Sequence, residues 1–366
     1  MLESAMMTSR AFVLRFDRTP RCRKRWIWSR TMKVANHRKF RGSILAIALA
    51  CCFGLVGLST EAEGAEDAPE TVRVLTFNLW NGGDTGKQPL DRTVEVIKRS
   101  QADVVGLQET GGLAPEGQPR PDRAAEIAER LGWHYLDQGG RMGIISRFEI
   151  VASTPKKWGV KLALPSGRWM YAFNVHLAHS PYQPYQLLGI PYGDAPFIAT
   201  EAEAVRFARE SRGSQVAEML AEVKAVAEEG APMVLTGDFN EPSHRDWTEA
   251  STKAKLCPLK VEWPSTRAVE DAGFVDAYRS VHPDPVESRG LTWTPTTKVG
   301  DPKDHHDRID FVFVGGFDRP NTAVKAAQII GESQEAADVV VSPYPSDHRA
   351  VVAELELPAG ESTTTP

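Results

Sequence analysis

The residues able to do chemistry fall at the ends of short apolar runs. Met233-Val234-Leu235-Thr236 stops at Gly237-Asp238-Phe239-Asn240, and the run from Ala102 to Gln108 stops at Glu109. Asn78, Asp310 and the pair Asp347-His348 border similar runs, and His176 follows Asn174-Val175. A buried strand that ends in a polar residue delivers that side chain to the rim of a sheet, where clefts form. Taken alone, each acid reads as an ordinary turn residue, Asn78 as the anchor of the next turn, and His176 as a satisfied core histidine. As a set they offer hard oxygen donors and imidazoles. That combination suits phosphate ester cleavage, which needs a cation on the non-bridging oxygens, an activated water and a stabilised leaving oxygen. Mg²⁺ prefers a few carboxylate and carbonyl oxygens and keeps several waters, a donor type that Glu109, Asp238, Asn240, Asp310 and Asp347 supply. No Cys cluster or His-x-x-x-His spacing points to a closed zinc site. His305 and His306 are adjacent, and neighbours on an extended strand face opposite ways. His348 and His176 are left for phosphate contact or proton transfer.

Periodicity indicates which elements position these groups. Residues 71–80 alternate and then run apolar, a strand that ends near Asn78 before the turn Asn81-Gly82-Gly83-Asp84. Leu90, Val94 and Ile97 predict a helix over 90–100, and a second helix spans about 122–131, closed by Gly132. Residues 133–136, 141–147, 150–153 and 158–164 read as an antiparallel meander, and 168–177 as the strand that places His176 at its exit. Ala178 to Thr200 is irregular, with four Pro and three Tyr in 23 residues. A loop of that length inside a compact domain is usually functional or disordered. Its aromatics favour a packed rim that shapes a substrate pocket, with Tyr182 and Tyr185 on it; a structural flap is the plainer reading. Residues 201–229 are strongly helical, Ser243 can cap a short helix to about Ala250, and 261–279 hold a further helix and turn. Strand candidates follow at 291–294, 307–314, 323–330, 339–341 and 349–357. Strands grouped around two helical stretches predict a layered α/β sandwich over residues 70–358, two sheets face to face with helices outside.

A chain of 366 residues with 42% hydrophobic content can bury a large core. Its N-terminal part is of another character. Ile44 to Leu58 is a 15-residue apolar run, preceded by Lys33, Arg38, Lys39 and Arg41 and followed by small residues and acids. A basic region, an apolar region and a small-residue exit make a secretory signal. Cleavage is expected near Ala62 to Ala65, with export to the periplasm or the medium. A retained single-pass anchor is the alternative, although a span needs roughly 18 apolar residues or more. The Arg-rich residues 1–31 precede a signal that would start well at Met32, which reads as an over-extended start. Ala48-Leu49-Ala50 before Cys51 is a poor lipid-attachment context. Removal of residues 1–65 leaves 31 basic and 44 acidic residues, a net charge near −13, and only Cys257 among the cysteines. An acidic exported chain argues against a binder of long duplexes, and no internal disulfide can form. Residues 359–366 read as a disordered tail.

The ordered series Thr76-Phe77-Asn78, Gln108-Glu109, Asn174-Val175-His176-Leu177, Gly237-Asp238-Phe239-Asn240, Arg308-Ile309-Asp310 and Ser346-Asp347-His348 resembles the endonuclease/exonuclease/phosphatase superfamily. Asp276-Ala277-Tyr278-Arg279 and Trp293-Thr294 are similar to further stretches of several members, so the likeness spans about residues 71–357. It implies a four-layer α/β sandwich, two mainly antiparallel sheets with the site at their top. It also implies a Mg²⁺ site, with Mn²⁺ as a substitute: Glu109 as principal ligand, Asn78 orienting metal or phosphate, and Asp347 contributing. Asp238 would position or deprotonate water, Asn240 would hold a phosphate oxygen or that water, and His176 would serve as general acid or phosphate ligand. His348, oriented by Asp310, would contact the phosphate or act as base; which of Asp238 and His348 activates water stays open. The apurinic endonucleases' phosphate-binding tyrosine and basic extension have no clear equivalent here. The Pro/Tyr loop and Asp304-His305-His306-Asp307 match no subgroup, which places substrate choice there, with His306 and Asp307 as secondary contacts. The expected protein is an exported, monomeric Mg²⁺-dependent hydrolase of a small or lipid-derived phosphodiester or phosphomonoester, without a stable membrane span. The alternatives are an extracellular nuclease, for which nucleic acid is substrate only, and a binding module that has lost activity.

Overall fold

The computed structural model describes residues 70–315 and 322–357. The signal-like segment, Met32 and the 359–366 tail lie outside the described residues. The chain runs through β1 (Glu70–Asn78), α1 (Leu90–Ser100), β2 (Val104–Gln108), α2 (Arg123–Leu131), β3 (His134–Gly139), β4 (Met142–Ser146), β5 (Glu149–Ser153) and β6 (Gly159–Ala163). It continues with β7 (Trp169–His176), α3 (Gln183–Leu188), α4 (Glu201–Ala227), β8 (Met233–Asp238), α5 (Glu249–Lys253), α6 (Pro264–Asp271) and β9 (Phe274–Asp276). The last elements are α7 (Ala277–Val281), β10 (Asp310–Gly315), β11 (Ala323–Gly331), β12 (Val339–Val340) and β13 (Ala350–Leu357). Among the described residues, no helix is long and apolar enough to cross a membrane.

Seven strands form one sheet in the order β12-β11-β13-β1-β2-β4-β3, and six form the other in the order β5-β6-β7-β8-β10-β9. Pairing is mainly antiparallel, with parallel pairs at β1/β2, β7/β8 and β11/β12. Three apolar layers separate the four structural ones. α1 and α2 cover the outer face of the first sheet through Val94, Ile97, Ile127, Leu75 and Phe77. α4 and α6 cover the second through Val216, Met219, Val269, Phe173 and Leu235. Val74, Val104, Ala172, Val234, Val312 and Val351 fill the space between the sheets.

Strand alternation explains where polarity collects. Successive side chains face opposite ways, so Val72, Val74, Thr76 and Asn78 share the inter-sheet face of β1. In β7 that face carries Met170, Ala172, Asn174 and His176; in β8 it carries Val234, Thr236 and Asp238. The inner layer therefore begins apolar and becomes polar where the parallel strands end. Asn174 is fully buried there, donating to Leu107 O and Gln138 and accepting from Gln108 Nε2 at 2.7 Å and Thr236 Oγ1 at 3.1 Å. Gly106 makes room for it, because a Cβ at this position would lie 2.0 Å from Thr236 Oγ1 and 2.4 Å from Asn174 Oδ1.

Several expectations change. Residues 133–164 are not one meander: β4 is flanked by β2 and β3, which uses both its edges, and the chain crosses to the second sheet at β5. Residues 291–294 make bridges from Trp293 to Asp307 and His348 instead of a strand. Ser243 holds a turn through Arg245 N–H, while Thr248 caps the five-residue α5. The Pro/Tyr segment contains α3 and is pinned by the buried Arg212 of α4, which donates to Gln183 at 2.6 Å and Pro181 O at 3.0 Å.

Candidate active site

The ends of β1, β2, β7 and β8, the start of β10 and the turn before β13 meet at the polar end of the inner layer. Asp238 is the hub. Its Oδ2 accepts from Asn78 Nδ2 at 2.9 Å and Asn240 Nδ2 at 3.3 Å, and its Oδ1 accepts from Asn240 N–H at 2.9 Å. Two imidazoles also face Oδ2, His176 Nε2 at 3.5 Å and His348 Nε2 at 3.8 Å. Asn240 donates also to Leu177 O at 3.0 Å, and its φ of 48° is one that Asn tolerates better than most residues. Asp238 is pinned in place by amide donors, with its carboxylate face turned to both histidines.

His348 is oriented from behind. Its Nδ1 lies 2.9 Å from Asp310 Oδ2, its backbone N–H donates to Ser346 Oγ, and Trp293 packs edge-on at 4.9 Å. Ser346 in turn donates to Asn78 O at 2.7 Å, which ties β1 to the turn before β13. Burial by itself would push the imidazole down, but the Asp310 and Asp238 carboxylates outweigh it and raise its pKa to about 10. The Nδ1–Asp310 contact leaves Nε2 to face the cleft. Asp238, Asp310 and His348 each offer one donor atom within 4.8 Å of the others.

Glu109 and Asp347 flank this hub. Glu109 is half-buried in the left-handed region at φ 52°, a strained conformation for its type. Asn81 N–H donates to its Oε2 at 3.0 Å and Gly82 N–H to its carbonyl. Asp347 is buried, and burial raises its pKa to about 7 in spite of the opposing His348 charge, with smaller upward contributions from Glu109 and Asp238. Its Oδ1 and that of Asp310 are buried without a hydrogen-bond partner. Buried carboxylate oxygens left open in this way fit a divalent cation, and hard oxygens from Glu109, Asp347 and the Asn78 amide are the donor type Mg²⁺ takes.

The structure thus brings Asn78, His176, Asp238, Asn240, Asp310 and His348 together, with Glu109 and Asp347 beside them. Tyr182 and Tyr185 line a neighbouring cavity. His306 and Asp307 are placed otherwise than the secondary substrate contacts expected of them. Asp307 is buried and spends both oxygens on protein, accepting from Tyr182 Oη at 2.7 Å and Trp247 Nε1 at 2.8 Å. His306 is buried against Thr297 at 2.7 Å. Asp307 and Asp304 brace the rim from behind, accepting from the hydroxyls of Tyr182 and Tyr185, whereas His306 turns to Thr297. Thr292, which donors of Ile309 and Asp310 reach at 3.0 and 3.2 Å, was not singled out from sequence, nor were His179 and Tyr192. His179 stands three residues after His176 and Tyr192 within the Pro/Tyr loop, which was the available signal; Thr292 had none.

The profile of the Endonuclease/Exonuclease/phosphatase family matches residues 75–348, and the chain belongs to that family, whose members hydrolyse phosphate esters. An uncharacterized protein of Caenorhabditis elegans, F14F9.5, is 29% identical over 301 residues, covering 77% of this chain and 90% of its own. An endonuclease/exonuclease/phosphatase of Beutenbergia cavernae superposes with a TM-score of 0.48 at 20% identity, over 78% of this chain and 72% of that one. An AP endonuclease of Archaeoglobus fulgidus does so with 0.46 at 15% identity, over 77% and 98%.

Proposed function

We propose that this chain is an exported, Mg²⁺-dependent hydrolase of small or lipid-derived phosphate esters. The observation that carries this reading is the convergence on Asp238 of two histidines and two amides, beside buried carboxylate oxygens without partners. Glu109, Asp347 and the Asn78 amide would hold the cation, with Mn²⁺ as a substitute. When bound it would neutralise the non-bridging oxygens of the phosphate.

The residues divide the remaining work by their hydrogen bonds. His348, held as an imidazolium by Asp310 and Asp238, presents an N–H to a phosphate oxygen and strengthens that contact as charge develops. An imidazolium cannot accept a proton, which leaves Asp238 to orient water and take its proton. Asn78 and Asn240 fix the Asp238 carboxylate for that task. His176 is the more open of the two histidines, its side chain 14% exposed against 4% for His348, so it is placed to protonate the leaving oxygen.

The acidic balance of the chain after residue 65 supports a small or lipid-derived ester over a long duplex. The signal-like N-terminus supports export. Hydrolysis of bis-p-nitrophenyl phosphate, sphingomyelin and plasmid DNA, each with Mg²⁺ and with EDTA, tests the reading. Metal-dependent turnover of the first two with weak nicking is expected. Efficient cleavage of plasmid would replace it with the nuclease reading, and turnover undiminished by EDTA would refute the cation's part. N-terminal sequencing of exported protein should find a start near Ala62 to Ala65.

A further inference from the structure

The 286–291 segment, β11 and the 334–338 turn border a cavity of about 460 Å³ that none of the reaction-centre residues lines. Arg289 lines it. Among the described residues, this is the one arginine that is neither exposed nor within ion-pair distance of a carboxylate. Its single hydrogen bond to protein runs from Nη2 to His306 O at 3.3 Å. Asp307 and Asp246 attract it from farther off, but Asp307 is taken by Tyr182 and Trp247, and Asp246 by Arg279 and Arg308. Burial outweighs that attraction and pulls the pKa of the guanidinium down. A half-buried cation held by one long bond is what a bound carboxylate would compensate, through a bidentate contact.

Tyr278 adds a second open donor. It is only 6% exposed, and its hydroxyl has no protein partner yet is not sealed off, so it opens into the cavity it lines. Gly290 permits this, because its φ is 64° and a Cβ there would lie 2.4 Å from the phenol ring. Arg279 fixes the same segment from the other side, donating to His282 O at 2.9 Å, Ser288 O at 2.6 Å and Arg289 O at 3.2 Å. The donors are thus held in place before a ligand arrives, which lowers the ordering cost of binding. Val286, Leu291 and Ile329 make an apolar wall, and the acids Glu287, Glu335 and Asp338 stand exposed at the rim. Arg349, the other cation of the lining, is spent on Glu332 and Leu291 O. The interior therefore favours an anion that the rim repels. A molecule with one charge of each sign and carbon between them satisfies both regions.

We propose that this cavity binds a small zwitterion, its carboxylate on Arg289 and Tyr278 and its ammonium toward Glu287, Glu335 and Asp338. The site is separate from the reaction centre, and the inference does not rest on the phosphoesterase reading. One segment joins the two places. Leu291 O and Thr292 O accept from Arg349, Thr292 Oγ1 accepts from the N–H groups of Ile309 and Asp310, and Trp293 packs on His348. A ligand on Arg289 would brace the segment that carries Thr292 and Trp293.

Calorimetry on the purified protein tests this with 6-aminohexanoate as the probe, set against hexanoate and hexylamine, which each keep one charged end. The zwitterion is expected to bind about tenfold or more tightly than either, the scale of one charge-assisted hydrogen bond. Arg289→Met should weaken it by about ten- to a hundredfold, and Tyr278→Phe by about two- to tenfold. Glu287→Gln/Glu335→Gln should remove most of the advantage over hexanoate. Tyr278→Phe keeps the ring on Gly290, and Glu287 and Glu335 are exposed, so these variants decide the matter if Arg289→Met fails to fold. Hydrogen exchange should slow on binding in residues 286–294 and 334–338. Slowing confined to residues 178–200 would place the probe at the aromatic rim and overturn the proposal. So would equal binding of hexanoate and the zwitterion, no binding of any probe at millimolar concentration, or wild-type affinity in both Tyr278→Phe and the rim variant.

Discussion

Arg308 and Asp310 stand two residues apart, and each belongs to a buried charged cluster. Arg308 donates to both oxygens of Asp276 at 3.1 and 2.8 Å and to both of Asp246 at 3.0 Å, and Arg279 adds a bond to Asp246 at 2.6 Å. Two guanidiniums thus answer two carboxylates, and their donors point at named acceptors. Around Asp310 the balance differs. Asp238, Asp310 and Asp347 are buried with Glu109 beside them, against the imidazoles of His348 and His176, and two carboxylate oxygens have no partner. Burying charge is tolerable when it is paired and hydrogen-bonded, and costly otherwise. The first cluster is built to hold the fold, and the second keeps donors and acceptors open for something that arrives.

The sharpest way to break this comparison is to remove one member of each cluster. His348→Ala, or Asp238→Asn, should lower kcat/KM on bis-p-nitrophenyl phosphate by about 10³-fold, the scale of a lost proton-transfer or charge-stabilising group. The urea midpoint should move little in Asp238→Asn, which relieves one of several crowded carboxylates. His348→Ala should lower it as well, because Asp310 is left buried without its imidazolium. Arg308→Met should do the reverse, costing about 3–5 kcal/mol in urea unfolding because Asp276 and Asp246 remain buried without their partner. Activity of the folded fraction should be much less affected. A large stability loss in Asp238→Asn would erase the distinction between the clusters.

Asp347→Asn probes the open cluster more finely. In EDTA the wild-type carboxyl, with a folded pKa of about 7 against an ordinary 3.8, loses stability as pH rises between those values. The Asn variant lacks that burden. Above pH 7 it should therefore be more stable than wild type by about 2 kcal/mol. Mg²⁺ should raise the melting temperature of the wild type and do so less in the variant. A variant less stable than wild type in EDTA would show that Asp347 is compensated in a way the structure does not reveal.

The sequence exposed the open cluster better than the closed one, and physics explains why. Asn78, Asp238, Asp310 and His348 interrupt apolar runs whose period of two fixes the face they occupy, so their convergence follows from strand geometry. Arg308 and Asp276 lie in recognisable stretches, but their pairing with Asp246 depends on how a turn and two distant segments pack. The split of residues 133–164 between sheets was hidden for a related reason. Alternation in β4 and β5 states which side is buried, and not which strand lies alongside. The placement of Asp307 was hidden because a polar run beside a pocket motif looks the same whether it faces the ligand or braces the wall. That distinction rests on the Tyr182 and Trp247 bonds to Asp307, made by side chains 125 and 60 residues away.

The smallest effect sharpens the comparison from the compensated side. Burial would raise the Glu270 carboxyl, but hydrogen bonds from His244 and Arg245 outweigh it and lower its pKa to about 2 from 4.5. A depressed folded pKa gives stability that is fully present above the unfolded value and is lost as pH falls through the folded one. Glu270→Gln should therefore be less stable than wild type by about 1 kcal/mol at neutral pH, a figure kept low because the Arg245 side chain is half exposed and screened. The gap should close as pH falls from about 4.5 toward 2, measured by urea unfolding at several pH values. Glu270 and Asp347 thus predict opposite slopes: the paired acid gains stability as pH rises and the open one loses it. Parallel slopes for the two variants would mean that the open carboxylate is paired after all, and would remove the main argument for a cation beside it.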